Sequence, residues 1–203
     1  MERDLTMAGL HLSDPVFIRA FKEEKLLEFF IRNRTTGKFE LFRTYPIAAA
    51  SGELGPKLVA GDRQVPEGFY VVPPAAMNPD SRFHLAFNIS YPNELDRANH
   101  RTGNAIMVHG DRKSIGCLAM TDEKIEEIYT LCAAAHAAGQ SFFCVHLFPF
   151  RMTAERMEMA AKSFNFAFWQ DLKEGHDLFE KERIPPRILV VDGRYHCSDA
   201  RDR

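Results

Sequence analysis

The chain has 203 residues, of which 45% are hydrophobic, and this size and composition favour one compact unit with an elaboration over two independent domains. The 26 lysines and arginines nearly balance the 28 aspartates and glutamates, so there is no strong positive field and we expect no nucleic-acid partner. No segment approaches the roughly 18–20 consecutive apolar residues of a membrane-spanning helix, so we expect no transmembrane segment. The N-terminus shows no basic segment followed by a long apolar run; the protein is therefore either cytosolic or a secreted protein whose signal has been removed.

The first half of the chain predicts one helix followed mainly by strands. A capping pair followed by apolar residues at helical spacing predicts a short helix over 14–24. Two aromatic and aliphatic runs, 26–34 and 38–45, flank a Thr-Thr-Gly segment and predict a β-hairpin. Glycines, prolines and scattered charges predict a long loop over 51–68, of a length that is often functional. The next predicted strands are 69–72, 83–89 and 105–108.

The second half of the chain predicts more helix. Acidic residues in a first turn, an apolar stripe at helical spacing and a closing glycine predict a helix from Thr121 to Gly139. A buried strand is predicted over 141–148. The remaining predicted elements are helices over 153–163 and 165–183 and a final strand over 187–191.

Together these elements predict a mostly β fold of the α+β class. We expect an N-terminal helical segment (1–25), a central domain rich in strands (26–150), and a helical C-terminal elaboration with a final strand (151–203).

Four cysteines are too few for a disulfide scaffold in a chain of this length, and none has C-x-x-C spacing. Cys132 lies on the apolar stripe of a predicted helix and Cys144 in an apolar strand, so we expect both in the core, whereas Cys197 stays uncommitted. No histidine or cysteine has metal-ligand spacing, and we assign neither a metal nor a cofactor.

Residues 107–120 carry the clearest chemistry in the chain. An apolar strand ends at His109, and Cys117 follows eight positions later, so a tight loop can bring imidazole and thiol together. A thiol reacts as the thiolate and needs a nearby base or positive field. Gly116 permits an unusual backbone conformation, and exposed N–H groups at Gly116 and Cys117 can stabilise an oxyanion. From composition and spacing alone, a small buried cysteine and a loop histidine are the commoner interpretation, and the spacing permits a catalytic pair without establishing one.

The same segment resembles the active-site signature of the YkuD-type L,D-transpeptidase catalytic domain, in which a histidine and a small residue precede a Ser/Thr-His-Gly-Cys stretch. The matching residues are His109-Gly110 and Ser114-Ile115-Gly116-Cys117. Residues 54–57 and 61–70 are similar to the family's Gly-Pro-Lys and Gly-Asp-x-x-Thr-Pro-Glu-Gly segments. The resemblance spans about residues 14 to 195.

Two departures from the signature point to one branch of that family. Ile115 stands where the family has a second histidine, and the loop between histidine and cysteine is shorter than usual. Both features resemble the YafK-like branch, as do three further segments, 83–85, 106–110 and 145–151. The change at Ile115 puts in doubt the substrate-binding role of the family's second histidine, but not the nucleophile or the base.

The resemblance implies a YkuD-like β-sandwich catalytic domain and a cysteine-dependent transfer reaction on peptidoglycan. Cys117 would attack the third residue of a tetrapeptide stem, His109 would act as general base, and Gly110 would orient that base. The implied partners are peptidoglycan peptide stems and, for one alternative, an outer-membrane lipoprotein. The implied location is the periplasm or cell envelope, with a signal sequence removed from this chain.

Two alternatives remain open beside the transpeptidase. Water in place of an acceptor amine would make the same site a hydrolase, which could detach lipoprotein from peptidoglycan. A non-catalytic cell-wall binding module is the second alternative, although binding alone needs no pair of nucleophile and base.

Further residues are candidates for substrate binding. Ser114 belongs to the signature, and His84 and His146 could approach the cleft from neighbouring strands; a surface histidine and a satisfied core histidine are the competing interpretations. Arg151 is the cation that we favour for pairing with a carboxylate of the stem. Other basic residues considered for that role are Lys57, Arg112 and Lys113.

Overall fold

A computed structural model describes residues 1–201 and contains, within them, five α-helices and twelve strands. The helices are α1 (Glu2–Met7), α2 (Glu94–Ala98), α3 (Asp122–Ala137), α4 (Ala154–Met159) and α5 (Phe166–Glu182). The first six strands are β1 (Val16–Phe21), β2 (Leu26–Arg32), β3 (Phe39–Pro46), β4 (Ala49–Ala50), β5 (Gly68–Val72) and β6 (Met77–Ser81). The others are β7 (His84–Asn88), β8 (Met107–His109), β9 (Leu118–Ala119), β10 (Phe143–Phe148), β11 (Arg187–Val191) and β12 (Arg194–Ser198).

The strands form two five-stranded sheets and one hairpin. The first sheet has the order β3-β2-β1-β10-β5, in which β1 and β10 are parallel and the other neighbours antiparallel. The second sheet has the order β4-β9-β8-β7-β6, with β8 and β9 as its parallel pair. β11 and β12 pair only with each other. The mixed α+β architecture predicted from the sequence is confirmed.

The first sheet has a core on each face. One core joins alternate residues of this sheet to the second sheet and to the apolar face of α3; Val145, Val108 and Ile128 are members of it. The opposite face of the same sheet packs under α4, α5 and the terminal hairpin, through residues such as Phe148, Leu172 and Tyr195. Both faces of the sheet are therefore removed from water.

The helix predicted over 14–24 is wrong: that segment contains β1. All six residues of β1 are buried, because the strand is central in a sheet that is covered on both faces. A strand that is buried on both faces is apolar along its whole length, without alternation. Phe17, Ile18 and Phe21 are therefore also compatible with the spacing of a helix, which is why a helix was predicted. The N-terminal helix that does form is the short α1, which the sequence did not predict.

The other predicted elements are found close to their expected bounds. The hairpin, the long loop, the strands and the three later helices are present, and α3 buries the predicted stripe through residues that include Ile125 and Cys132. The prediction omitted four short or exposed strands: β4, β6, β9 and β12. Of these, β9 matters most, because it carries the chain away from Cys117.

Candidate active site

Two adjacent strands bring His109 and Cys117 into one region. β8 ends at His109 and pairs in parallel with β9, which begins directly after Cys117; Val108 lies opposite Leu118 in this register. The Met107 N–H donates to Cys117 Sγ at 3.4 Å, which holds the thiol beside β8. The two residues are eight positions apart in the sequence, and the pairing of β8 with β9 places them on neighbouring strands.

The backbone and the ring of His109 are both fixed. Its carbonyl accepts from the Met120 N–H at 2.8 Å, which ties β8 to the chain after β9. Nδ1 lies 2.6 Å from the Gly110 carbonyl oxygen. Because a carbonyl only accepts, Nδ1 is the protonated nitrogen and Nε2 keeps its lone pair. The imidazole is therefore oriented as a base that acts through Nε2.

Phe83 packs on the imidazole of His109, with ring centroids 4.7 Å apart and planes inclined by 35°. His109 is only 3% exposed. Burial lowers the pKa of His109, and the Gly110 carbonyl and Asp111 counteract this only in part. The imidazole is consequently neutral, and able to accept a proton, over a wider pH range than in water.

The thiol of Cys117 is protonated at rest. Burial raises its pKa, against smaller opposing effects of the Met107 N–H and the Lys57 charge. The thiol donates to the Ala105 carbonyl oxygen at 3.7 Å. Within residues 1–201 the hydrogen-bond partners of Sγ are Met107 and Ala105, not His109. Proton transfer to the imidazole therefore needs a rotation of the thiol or a bridging water.

The two backbone N–H groups expected to stabilise an oxyanion already have partners. Gly116, at φ +85°, donates to Ser51 Oγ at 2.7 Å, and Cys117 donates to Ser114 Oγ at 3.0 Å. The hydroxyl of Ser114 thus supports the backbone of the nucleophile in the resting site. For either N–H to bind an oxyanion, its serine hydroxyl has to move or share the donor.

A pocket of about 180 Å³ opens at Cys117. Its lining residues include Ile115, Gly116, Lys57 and Arg63. Lys57 is buried and ion-paired with Asp62, whereas Arg63 and Ile115 are exposed.

Three predicted substrate-binding residues do not line this pocket. His84 is exposed and its Nε2 donates to Glu126 Oε1 on α3 at 2.7 Å. His146 belongs to β10 in the first sheet, where it packs between aromatic rings, and Arg151 pairs with Glu28 at 2.7 Å. The sequence around His146 and Arg151 was compatible with a position at the site. In the structure, however, β10 and the loop after it lie at the first sheet, whereas His109 and Cys117 lie at the second.

Two residues at the site escaped the sequence analysis. Ser51 belongs to the long loop predicted over 51–68, and its contact with Gly116 joins residues 65 positions apart. Phe83 stood next to His84 in a noted segment, but nothing local showed that it covers His109. Only the length of the loop, which is typical of functional segments, pointed toward Ser51.

All four cysteines are free thiols. Cys132 is fully buried, and burial raises the pKa of Cys144 to about 11 and that of Cys197 to about 12. Cys117 is the cysteine that lines the pocket. Within residues 1–201, no group of three or more histidine, cysteine or acidic side chains is close enough to hold a metal ion.

Comparisons with known proteins identify the family of the chain. The family described as the L,D-transpeptidase catalytic domain (YkuD) matches residues 15–142. The chain is 43% identical over 187 residues to YafK of Escherichia coli strain K12, whose name assigns it only provisionally to the L,D-transpeptidases; the match covers 92% of this chain and 75% of that protein. YafK of Escherichia coli O157:H7 matches equally well.

A solved structure shares the fold. The helical cell shape determining protein Pgp2 from Campylobacter jejuni superposes with a TM-score of 0.54 at 19% identity, over 94% of this chain and 80% of that chain. In the described residues, no helix combines the length and the apolar character required to span a bilayer.

Proposed function

The chain belongs to the family of L,D-transpeptidase catalytic domains, and on that premise we propose that it is a cysteine-dependent transpeptidase of peptidoglycan peptide stems. Cys117 is the nucleophile and His109 the general base. The observation that carries the proposal is the pairing of β8 with β9, which sets the thiol beside the strand of a histidine whose Nδ1 is held by Gly110. The proposed site of action is the periplasm or cell envelope, where peptidoglycan lies.

The reaction proceeds in two halves. The Cys117 thiol gives its proton to His109 Nε2 as sulfur attacks the carbonyl carbon of the third stem residue. The tetrahedral intermediate collapses when the protonated imidazole gives this proton to the amine of the terminal D-alanine, which leaves. An amine of a second stem then attacks the thioester, His109 takes its proton, and the thiol is regenerated.

The electrostatics of the resting site favour the neutral pair over the ion pair. Burial raises the pKa of Cys117 and lowers that of His109, so both shifts oppose a preformed thiolate and imidazolium. The thiolate therefore forms as substrate is attacked, and the buried Lys57 beside the pocket stabilises its charge.

Stabilisation of the oxyanion falls to the N–H groups of Gly116 and Cys117. On substrate entry the Gly116 N–H is shared between Ser51 Oγ and the oxyanion, and the hydroxyl of Ser114 leaves or shares the Cys117 N–H. In the resting site the two hydroxyls orient these N–H groups.

A hydrolase is the second candidate, and it uses the same two residues. The pocket at Cys117 includes the exposed residues Arg63 and Ile115, so water can reach the thioester and compete with an acceptor amine. The substrate would then be the bond between diaminopimelate and the lysine of an outer-membrane lipoprotein. A third possibility, a binding module without catalysis, predicts no turnover at all.

The test is mass spectrometry of wild type, Cys117→Ala and the control Cys144→Ala after incubation with tetrapeptide-stem muropeptides and with lipoprotein-linked peptidoglycan. We expect a thioacyl adduct and a crosslinked dimer with wild type and Cys144→Ala, and neither with Cys117→Ala. Release of a lipoprotein fragment without a dimer would identify the hydrolase. Unchanged substrates with all three proteins would contradict both enzymatic proposals.

A further inference from the structure

The long loop beside the active site is anchored by a buried ion pair. Lys22, which follows β1, donates from Nζ to the carbonyl oxygens of Gly55 at 2.8 Å and Val65 at 2.9 Å, and to Glu67 Oε1 at 2.9 Å. Glu67 is 0% exposed. One ammonium group therefore ties together both ends of the segment between Gly55 and Glu67.

Glu67 also connects this loop to α5. Its Oε1 accepts from the Gly55 N–H at 2.6 Å, and its Oε2 accepts from Trp169 Nε1 at 2.8 Å. A buried carboxylate is costly unless donors surround it, and Glu67 has three. Trp169 is itself buried in α5, where its ring packs edge-on against Phe150. Removal of its N–H leaves a carboxylate oxygen unpaired in the interior.

The anchored loop reaches the nucleophile through a continuous set of hydrogen bonds. Gln64 Nε2 donates to the Gly55 carbonyl oxygen at 2.8 Å. The preceding residue is Arg63, and its carbonyl oxygen accepts a hydrogen bond from Ser51 Oγ at 2.7 Å. The same hydroxyl accepts from the Gly116 N–H at 2.7 Å. The orientation of the backbone before Cys117 thus depends on a loop held from α5.

We propose that Lys22, Glu67 and Trp169 are positioning residues for acyl transfer: through Ser51 they fix the backbone at Gly116 and Cys117 where the oxyanion develops. The inference rests on the proposed function. Gly116 has a φ of +85°, and the atoms nearest to a Cβ built on it are backbone atoms of Arg63 and Gln64 at 3.8 Å, so its surroundings are this same loop. The cluster acts at a distance and touches no reacting atom.

Two reactions of the same thiol separate positioning from general stability. Alkylation of Cys117 by iodoacetamide needs the thiolate but no oxyanion donor, whereas acyl transfer to a muropeptide needs both. We expect Trp169→Phe and Ser51→Ala to lower kcat for acyl transfer by about tenfold, with a smaller change in KM, and to leave the alkylation rate within about twofold. Trp169→Phe keeps an aromatic ring and removes the donor.

The matched control is Phe179→Leu, which weakens the packing of α5 in a different cluster, with Phe17 and Phe30. Phe179→Leu should leave the ratio of the acyl-transfer rate to the alkylation rate as it is in wild type. Equal losses of both rates in Trp169→Phe and Phe179→Leu, or an unchanged kcat in Trp169→Phe, would overturn the inference. A wild-type protein without Cys117-dependent turnover would instead overturn the proposed function.

Hydrogen exchange tests the linkage whether or not turnover is seen. We expect faster exchange in a peptide covering 112–117 in Trp169→Phe and in Ser51→Ala, but not in Phe179→Leu, since only the first two loosen the hold on Gly116. Ser51→Ala alters a half-buried residue and serves as the readout if Trp169→Phe does not fold. If this peptide exchanged at the wild-type rate in folded Trp169→Phe and Ser51→Ala, the inference would be contradicted.

Discussion

One side of the His109 imidazole is covered by a single aromatic neighbour, Phe83. Phe83 keeps nearly half of its surface exposed, yet its ring packs on the imidazole, which is almost fully buried. Burial penalises the charged imidazolium, and this is the main cause of the lowered pKa of His109. Phe83 therefore contributes to the burial that lowers the pKa of the proposed base.

Phe83→Ala should move the acid limb of the pH profile of kcat/KM to higher pH. Water that replaces the ring stabilises the imidazolium, so the pKa of His109 rises toward its usual value, and less of the enzyme holds the neutral base below that pKa. The measurement is kcat/KM between pH 5 and 8, with the histidine titration followed by NMR. Phe142→Ala, at a similarly exposed aromatic residue, should leave the limb in place; an unmoved limb in Phe83→Ala would show that Phe83 does not control the base.

The sequence pointed to the proposed reactive pair and to its neighbours Gly110 and Ser114, but not to the residues that reach the pair from elsewhere in the chain. His109, Gly110 and Cys117 lie within one short segment, so their order along the chain carries the resemblance to the family. Ser51 and Phe83 reach that segment from distant parts of the chain, and no local pattern encodes such contacts. The same limit explains His146, whose strand has a suitable pattern but belongs to the other sheet.

At the level of elements, burial on both faces explains where prediction from the sequence worked and where it did not. β2 and β3 are joined by a tight turn and were recognised, and α3 has one apolar face and was found nearly to the residue. β1 was mistaken for a helix because it is buried on both faces and shows no alternation. β9 spans only two residues, too few for any periodicity to appear.

α5 lies close to the first sheet at Gly175. A Cβ built on this residue would lie 2.6 Å from Phe69 Cζ and 3.1 Å from Cys197 Sγ. Gly175 is buried and lies in the interior of α5, where glycine is otherwise unfavourable. The close approach of helix, strand and terminal hairpin accounts for this glycine.

Gly175→Ala should destabilise the protein by about 1–3 kcal/mol, although alanine is the better helix former by about 1 kcal/mol. The added methyl group forces Phe69 or the helix to shift. Glu174→Ala, which introduces the same residue at an exposed position of the same helix, should change stability by less than about 0.5 kcal/mol. Urea unfolding of both variants gives the comparison, and a Gly175→Ala protein at least as stable as wild type would show that the packing here is loose.

In the molecule as a whole, the two faces of the first sheet carry different kinds of chemistry. The proposed reactive pair lies in the second sheet, on one side, while the other face buries titratable groups under α5. His146 is 2% exposed there, packs edge-on against Phe17 and Phe69, and has no partner for Nδ1 within residues 1–201. Burial, with the charges of Arg19 and His176, lowers the pKa of His146 to about 3.

This buried histidine should make the fold sensitive to mild acid. As pH falls below about 6.5, the unfolded chain binds a proton at residue 146 while the native protein does not, so the free energy of unfolding falls by up to about 1.4 kcal/mol per pH unit. From this group alone, the loss between pH 7 and pH 5 is about 2 kcal/mol. The loss continues until pH nears the folded pKa of about 3, below which both states are protonated. His176, whose pKa burial also lowers, adds to the same trend.

His146→Leu should therefore flatten the dependence of stability on pH between 7 and 5, because it removes both the titrating group and the unpaired Nδ1 without leaving a large cavity. Urea unfolding of wild type and variant at pH 7, 6 and 5 measures the slope. The matched control is His196→Leu, the same replacement at an exposed position of β12, which should keep the wild-type slope. If His146→Leu retained that slope as well, the acid sensitivity would have to arise from His176 and its ion pairs with Asp177 and Glu180, and not from the histidine in the sheet.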